Sequence, residues 1–299
     1  MHDHDHSHTL HAGQLNRAFL IGIGLNGMFV VVEAAAGLAT GSLALLSDAG
    51  HNLSDVASLG LSMVAFRLAR IPPGSKYTYG YRKSTILISL LNAVILLVAV
   101  GAIGYEAVHR LQNPVPLQGG TVAVVAGVGI AVNTVSALLF LKDKDKDLNI
   151  KGAYLHLVAD ALVSLGTVIA GLLMLFTGWY WLDAVVSLFV MAVIVYGTWG
   201  LMNDSLRLSM DGVPAGITVE KVREQAREIP GVVDLHHVHI WAVSTTENAL
   251  TAHVTIAPGL SAGEVDRVKH DLKHLLASLN IVHATLETEN THTDKDVGF

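Results

Sequence analysis

Two histidine-aspartate pairs carry the chemistry of this sequence. His51 and Asp55 stand four residues apart, and so do His156 and Asp160. On a helix that spacing puts both members of a pair on one face, one turn apart. Both pairs lie in runs otherwise poor in charge, where an ionisable side chain costs roughly 2.5–3.5 kcal/mol on insertion scales. One such pair is as readily a buried histidine hydrogen-bonded to its neighbour as a set of ligands. Two pairs of identical spacing on different apolar segments point to a shared task. Opposed to each other they offer two imidazole nitrogens and two carboxylate oxygens, a tetrahedral set that zinc accepts. Asp48, one turn before His51, either accepts a hydrogen bond behind the ligands or carries a proton.

The elements that must position these residues follow from composition. The chain has 299 residues, of which 52% are hydrophobic and only 15% charged, with a mean hydropathy of +0.50. That excludes a disordered or collagen-like chain, and a formal charge of −6 argues against a nucleic-acid partner. The absence of cysteine removes disulfide frameworks, thiolate zinc fingers and iron-sulfur chemistry. Six runs before about residue 210 are long enough to cross a bilayer, which takes roughly 20 helical residues. They lie near Arg17–Leu38, Leu43–Phe66, Ser84–Val108, Thr121–Leu141, Ala153–Phe176 and Leu182–Met202. The first has no small-residue cleavage site and is too long for a signal peptide. Arg67, Arg70, Lys76, Arg82 and Lys83 follow the second run, and Lys142, Lys144, Lys146 and Lys151 follow the fourth. Only Arg110 lies on the other side, so the positive-inside rule places both termini in the cytoplasm.

Beyond Pro214 the pattern is that of a small α+β unit. Val219–Glu228 and Ser261–Leu279 have helical spacing, whereas His236–Ser244, Leu250–Ala257 and Ala284–Glu289 read as strands. The fold class is therefore a membrane α-helical protein with six transmembrane helices and a small cytoplasmic α+β domain of order α-β-β-α-β. The expected divisions are a His/Asp-rich tail over 1–16, a membrane domain over 17–208, a cytoplasmic domain over 209–290 and a polar tail over 291–299.

The 16 histidines fall into three groups. His2, His4, His6, His8 and His11, with Asp3 and Asp5, form a tail that either captures metal or is simply solvated. His51, His109 and His156 lie in the membrane half, and His109, near Arg110 at the end of a run, reads as a surface residue. The rest follow His236. His236 opens one strand, His253 sits in the next, and Glu287 and Glu289 share a face of the last. Neighbouring strands are about 4.8 Å apart, so these side chains can converge on one ion. Strict alternation turns His237 and His239 to the face opposite His236. His270 and His274, on a charged helix, read as solvated.

At these residues the sequence resembles the cation diffusion facilitator family of zinc transporters, in particular its cobalt-zinc-cadmium resistance exporters. The resemblance covers almost the whole chain. It rests on the paired motifs, on the stretch Leu45-Leu46-Ser47-Asp48-Ala49-Gly50-His51-Asn52-Leu53-Ser54-Asp55, and on Pro230-Gly231-Val232 and His239-Ile240-Trp241. It implies a homodimer in a bacterial inner membrane that exports Zn2+, with Cd2+ or Co2+ as further substrates, in exchange for protons by alternating access. The resemblance also implies a metallochaperone-like cytoplasmic domain. By the same resemblance the transport site is His51, Asp55, His156 and Asp160, a combination associated with zinc over cadmium. The cytoplasmic zinc ligands fall on His236, His253, Glu287 and Glu289, although the family often has histidine where Glu287 stands. A further site that some members build after the second span is expected to be missing, because residues 71–83 contain no histidine or carboxylate. Lys83 matches a lysine that in the family pairs with an aspartate after the sixth span, at the position of Asp211, with Arg82 and Arg207 as nearby substitutes; the alternative is that Lys83 anchors its span at the lipid headgroups.

Other classes fit less well. A membrane metalloprotease needs H-E-x-x-H, which is absent, and no ATP-binding loop is present. The chain is therefore not expected to be an enzyme. A membrane-anchored metal sensor or storage protein without transport is the alternative, but it gives no reason to place ligands in lipid.

Overall fold

The computed structural model describes residues 12–141 and 148–290, with side chains described from residue 24 onward except 55, 58, 59, 62 and 148–153. Six long helices come first: α1 (Ala12–Thr40), α2 (Leu43–Ala69), α3 (Ser84–Gln112), α4 (Gly119–Phe140), α5 (Leu148–Thr177) and α6 (Trp181–Ser209). Four of them, α3 to α6, are long and apolar enough to cross a membrane, and α1 contributes a shorter apolar stretch, Gly24–Thr40. In α2 the apolar run is interrupted by Asp48, His51, Asn52 and Asp55, the residues that carry chemistry.

The chain forms two compact units. One takes residues up to Leu59 together with Val94–Thr198, and the other takes Gly60–Ala93 together with the chain from Trp199. In the first unit α4 and α5 approach closely through small residues. A Cβ on Gly119 would come within 2.5 Å of the Gly171 carbonyl oxygen, and one on Gly171 within 2.8 Å of the Gly119 oxygen. Small residues allow backbones to meet in this way where lipid offers no hydrophobic drive for association. Leu45, Val122, Ala126 and Met174 are buried around the crossing.

A polar seam joins α2 to α6. Asp183, in the first turn of α6, accepts hydrogen bonds from the backbone amides of Leu43 (2.7 Å) and Ala44 (3.3 Å) and from the Ser42 hydroxyl (2.5 Å). It thereby satisfies amides that the start of a helix leaves without intrahelical partners, where a negative charge is also favoured by the helix dipole. One turn further in, the Ser47 and Ser187 hydroxyls are 2.7 Å apart.

The second unit contains α7 (Val219–Arg227), β1 (Val232–Ala242), β2 (Asn248–Ile256), α8 (Ala262–Ser278) and β3 (Ile281–Glu289). The sheet order is β1-β2-β3, with β1 antiparallel and β3 parallel to β2. Val222, Leu235, Leu250, Val254, Leu272 and Leu276 lie in the core between sheet and helices. Thr218 caps α7, and a reciprocal Ser261-Glu264 capping box starts α8. Gly231 enters β1 at φ +96°, and a Cβ there would come within 2.9 Å of Val268. Both strands at the sheet edges start earlier than their alternation suggests, at Val232 rather than His236 and at Ile281 rather than Ala284.

Lys83 Nζ lies 2.5 Å from an Asp211 oxygen within this unit. Both side chains are largely exposed within the chain, at 40% and 61%. An exposed ion pair of this kind contributes about 0–1 kcal/mol. Arg82 does not substitute in it but pairs with Glu247, and Arg207 pairs with Asp204. The Thr85 hydroxyl accepts from the Thr245 amide at 3.1 Å, and Tyr79 meets His283 edge to face.

Candidate metal centre

The helical spacing of α5 puts His156 one turn before Asp160, and the structure brings His51 of α2 against both. His51 Nε2 is 3.7 Å from Asp160 Oδ1, and His156 Nε2 is 3.5 Å from Asp160 Oδ2. The two imidazole rings stand 5.5 Å apart and nearly perpendicular. One donor atom from each of the three residues lies within 4.8 Å of the others. Asp160 is buried, His51 half-buried and His156 exposed. Asp55 occupies the next turn of α2, but its side chain lies outside the described residues.

Sequence reasoning missed Glu33. It is fully buried on α1 and stands beside Asp48 and Asn52 of α2. The signal was available, since Glu33 is the only acidic residue between Asp5 and Asp48. Asp48 is also buried, and its Oδ2 accepts a hydrogen bond from Ser164 of α5 at 3.3 Å.

A second cluster lies on the sheet. His253 pairs in register with His236 on one side and with Glu287 on the other. His253 Nδ1 is 2.6 Å from Glu289 Oε1, and His236 Nε2 is 3.4 Å from Glu289 Oε2. His236, His253 and Glu289 each place a donor atom within 4.8 Å of the others. Glu287 is 3.7 Å from His253 Nε2, stands 71% exposed and is not part of that trio. Which atom donates across the short contact between His253 and Glu289 depends on the His253 tautomer.

His237 does not turn away, as strict alternation requires. A bulge between His236 and His239 puts His237 at φ +47°, and its ring lies 5.2 Å from that of His253. A bulge adds a residue to one strand and re-aims the side chains around it. His270 and His274 stack edge to face at 4.5 Å on α8, away from the sheet cluster. The histidines of the tail over 1–16 lie outside the described residues.

Residues 19–208 match the model of the cation efflux transmembrane domain. The chain belongs to the cation efflux family. Its residues 214–290 match the cytoplasmic domain of cation efflux proteins, so this is an integral membrane protein of a metal-transporting family. Among curated relatives, it is 33% identical over 98% of its length to a cadmium, cobalt and zinc/H(+)-K(+) antiporter of Bacillus velezensis, of which 94% is covered. It is 35% identical over 96% of its length to zinc transporter ZitB of Escherichia coli, of which 92% is covered. A metal-bound C-terminal domain of the CzcD transporter from Cupriavidus metallidurans is 32% identical over 24% of this chain and 99% of that one, at a TM-score of 0.22.

Proposed function

We propose that this cation efflux protein exports Zn2+ from the cytoplasm in exchange for protons, by exposing one metal site alternately to the two sides of the membrane. The observation that carries the reading is the meeting of His51, His156 and Asp160 from two helices of the membrane domain. Asp55, one helical turn from His51, completes the set of four.

The exchange follows from ligand chemistry. Zinc binds neutral imidazole and ionised carboxylate, so arriving metal displaces protons and arriving protons displace metal. A site open to a metal-bearing cytoplasm in one state and to a more acidic exterior in the other therefore uses the proton gradient to expel zinc. Two nitrogen and two oxygen donors suit compact zinc better than larger Cd2+, and His51→Asp shifts the set towards oxygen and relaxes the preference. Cd2+ and Co2+ are then secondary substrates, in keeping with the name of the Bacillus velezensis relative.

The rest of the reading concerns architecture. Six helices over 17–208 span a bacterial inner membrane with both termini in the cytoplasm, and residues 209–290 form the cytoplasmic domain of a homodimer. That domain binds zinc through His236, His253 and Glu289, with Glu287 at the open side. The donor set supports this, because two imidazoles and a carboxylate are a common zinc combination. The test is zinc uptake into proteoliposomes under an imposed pH gradient. Gradient-dependent uptake that disappears in Asp160→Ala is expected; equal uptake by the variant overturns the proposal.

A further inference from the structure

The transport site leaves two buried carboxyls unused. Glu33 is fully buried, and neither of its oxygens meets a hydrogen-bond donor in good geometry among the described residues. It stands beside Asp48, which is 1% exposed and whose Oδ1 is likewise without a donor there. From α2 the pair is faced by His51 and Asn52, and from α5 by Asp160 and Ser164. The stretch packed on α1 from α4 contains no ionisable residue. No lysine or arginine occurs between Arg17 and Arg67, or between Lys151 and Arg207, so these parts of α1, α2, α5 and α6 supply no fixed cation.

Two ionised carboxylates are both acceptors. Side by side in an apolar interior they repel, and neither can donate to the other. One proton between them changes repulsion into an O–H···O bond and halves the buried charge. Glu33 is thus an orphaned polar side chain aimed at a second acid, and the ligand that satisfies both is a proton.

We propose that Glu33 and Asp48 form a proton-binding site separate from the metal ligands, which holds one shared proton when the transport site is empty and gives it up when Zn2+ arrives. This rests on the reading of His51, Asp55, His156 and Asp160 as the transport site. His51 and Asp160 both act electrostatically on Asp48. A dication held by them favours the doubly ionised pair. In the step the shared O–H bond breaks, the electron pair stays on the carboxylate oxygen and the proton leaves to water. The pair passes from one negative charge to two while the metal site gains two positive charges. Each zinc then exchanges for one proton more than its own ligands release.

The experiment measures protons released per zinc bound by the purified full-length chain, using a pH dye in weak buffer with a zinc indicator in parallel. Glu33→Gln is expected to bind zinc at unchanged stoichiometry and to release about one proton fewer, because a coupled pair titrates as a unit. Asp48→Asn is expected to give the same loss, and the double variant no further loss. Infrared difference spectra should show a protonated-carboxyl band that zinc removes from the unaltered protein and that Glu33→Gln lacks. Unchanged proton release in both single variants overturns the proposal. If neither variant folds, absence of a zinc-sensitive carboxylic acid band in the unaltered protein overturns it. Failure of the transport-site reading looks different: Asp160→Ala would then bind zinc as tightly as the unaltered protein.

Discussion

His51 and Asp160 stand on different helices, yet the imidazole Nε2 of the first lies 3.7 Å from a carboxylate oxygen of the second. That gap is too long for a good hydrogen bond. Because His156 approaches the other oxygen of Asp160 at 3.5 Å, this carboxylate lies between the two histidines.

Removing it should therefore be costly. Structural zinc sites bind with roughly 10–16 kcal/mol, so loss of one ligand of four takes a few kcal/mol, on the order of 100-fold in affinity. Asp160→Ala, titrated with a competing zinc indicator, should show a loss of that size at the membrane site, with the protein still inserted and folded. Affinity within twofold of the original would refute the shared-ligand role.

On the sheet, Glu289 and Glu287 should separate. Glu289 touches both histidines and is mostly buried, whereas Glu287 is 71% exposed and approaches His253 at 3.7 Å. Glu289→Gln should weaken zinc binding by the cytoplasmic domain about 10- to 100-fold, in the range of lost ligand or orienting contacts. Glu287→Gln should change it several-fold less. Calorimetry on full-length protein whose membrane site is weakened by Asp160→Ala reads this binding, and an equal effect of the two substitutions would count against the trio.

The exposed pair Lys83 and Asp211 should matter little for folding. Lys83→Asp is expected to lower thermal stability by no more than an amount corresponding to about 1 kcal/mol. If the pair has a role in transport, Lys83→Asp slows flux and the double swap Lys83→Asp with Asp211→Lys restores part of it. A double swap as inactive as the worse single, or normal flux in both singles, rules that role out.

Acid should weaken one anchor in the cytoplasmic domain. Partial burial opposes ionisation of Asp234, but the hydrogen bond and charge of Arg227 and the Leu235 amide outweigh it and hold the carboxyl below its ordinary value. A group depressed in the folded state contributes stability above its unfolded pKa and loses it as pH falls through the folded value. Asp234→Asn should thus lower the melting temperature at pH 7, and the difference from the unaltered protein should vanish in strong acid, below both values. A constant difference across that range would mean that the lost contact is not electrostatic.

The meeting of His51, His156 and Asp160 was legible because repetition made it so. His51, Asp55, His156 and Asp160 share one spacing on two apolar runs, and chance seldom repeats a motif in that way. Glu33 has no partner in sequence, and only the packing of α1 against α2 reveals that it faces Asp48. His237 was misread for a different reason. Alternation assumes an unbroken ladder, and the bulge after His236 is a backbone event with no glycine to announce it. For Asp183 nothing local in the sequence shows that it serves the amides of α2 rather than its own. The sheet unit was read more easily, since α7 and α8 have strong caps and amphipathic spacing.

The hold of Asp183 on the start of α2 also limits how the site can move. Sliding α2 lengthwise past α6 would strip Leu43 and Ala44 of their acceptor inside the membrane domain, where water is scarce to replace it. Tilting about that end keeps the contacts. If α2 moves, the clasp would serve as a pivot rather than a rail, with displacement along α2 growing with distance from it. His51, two turns down, would travel only a short arc in such a tilt.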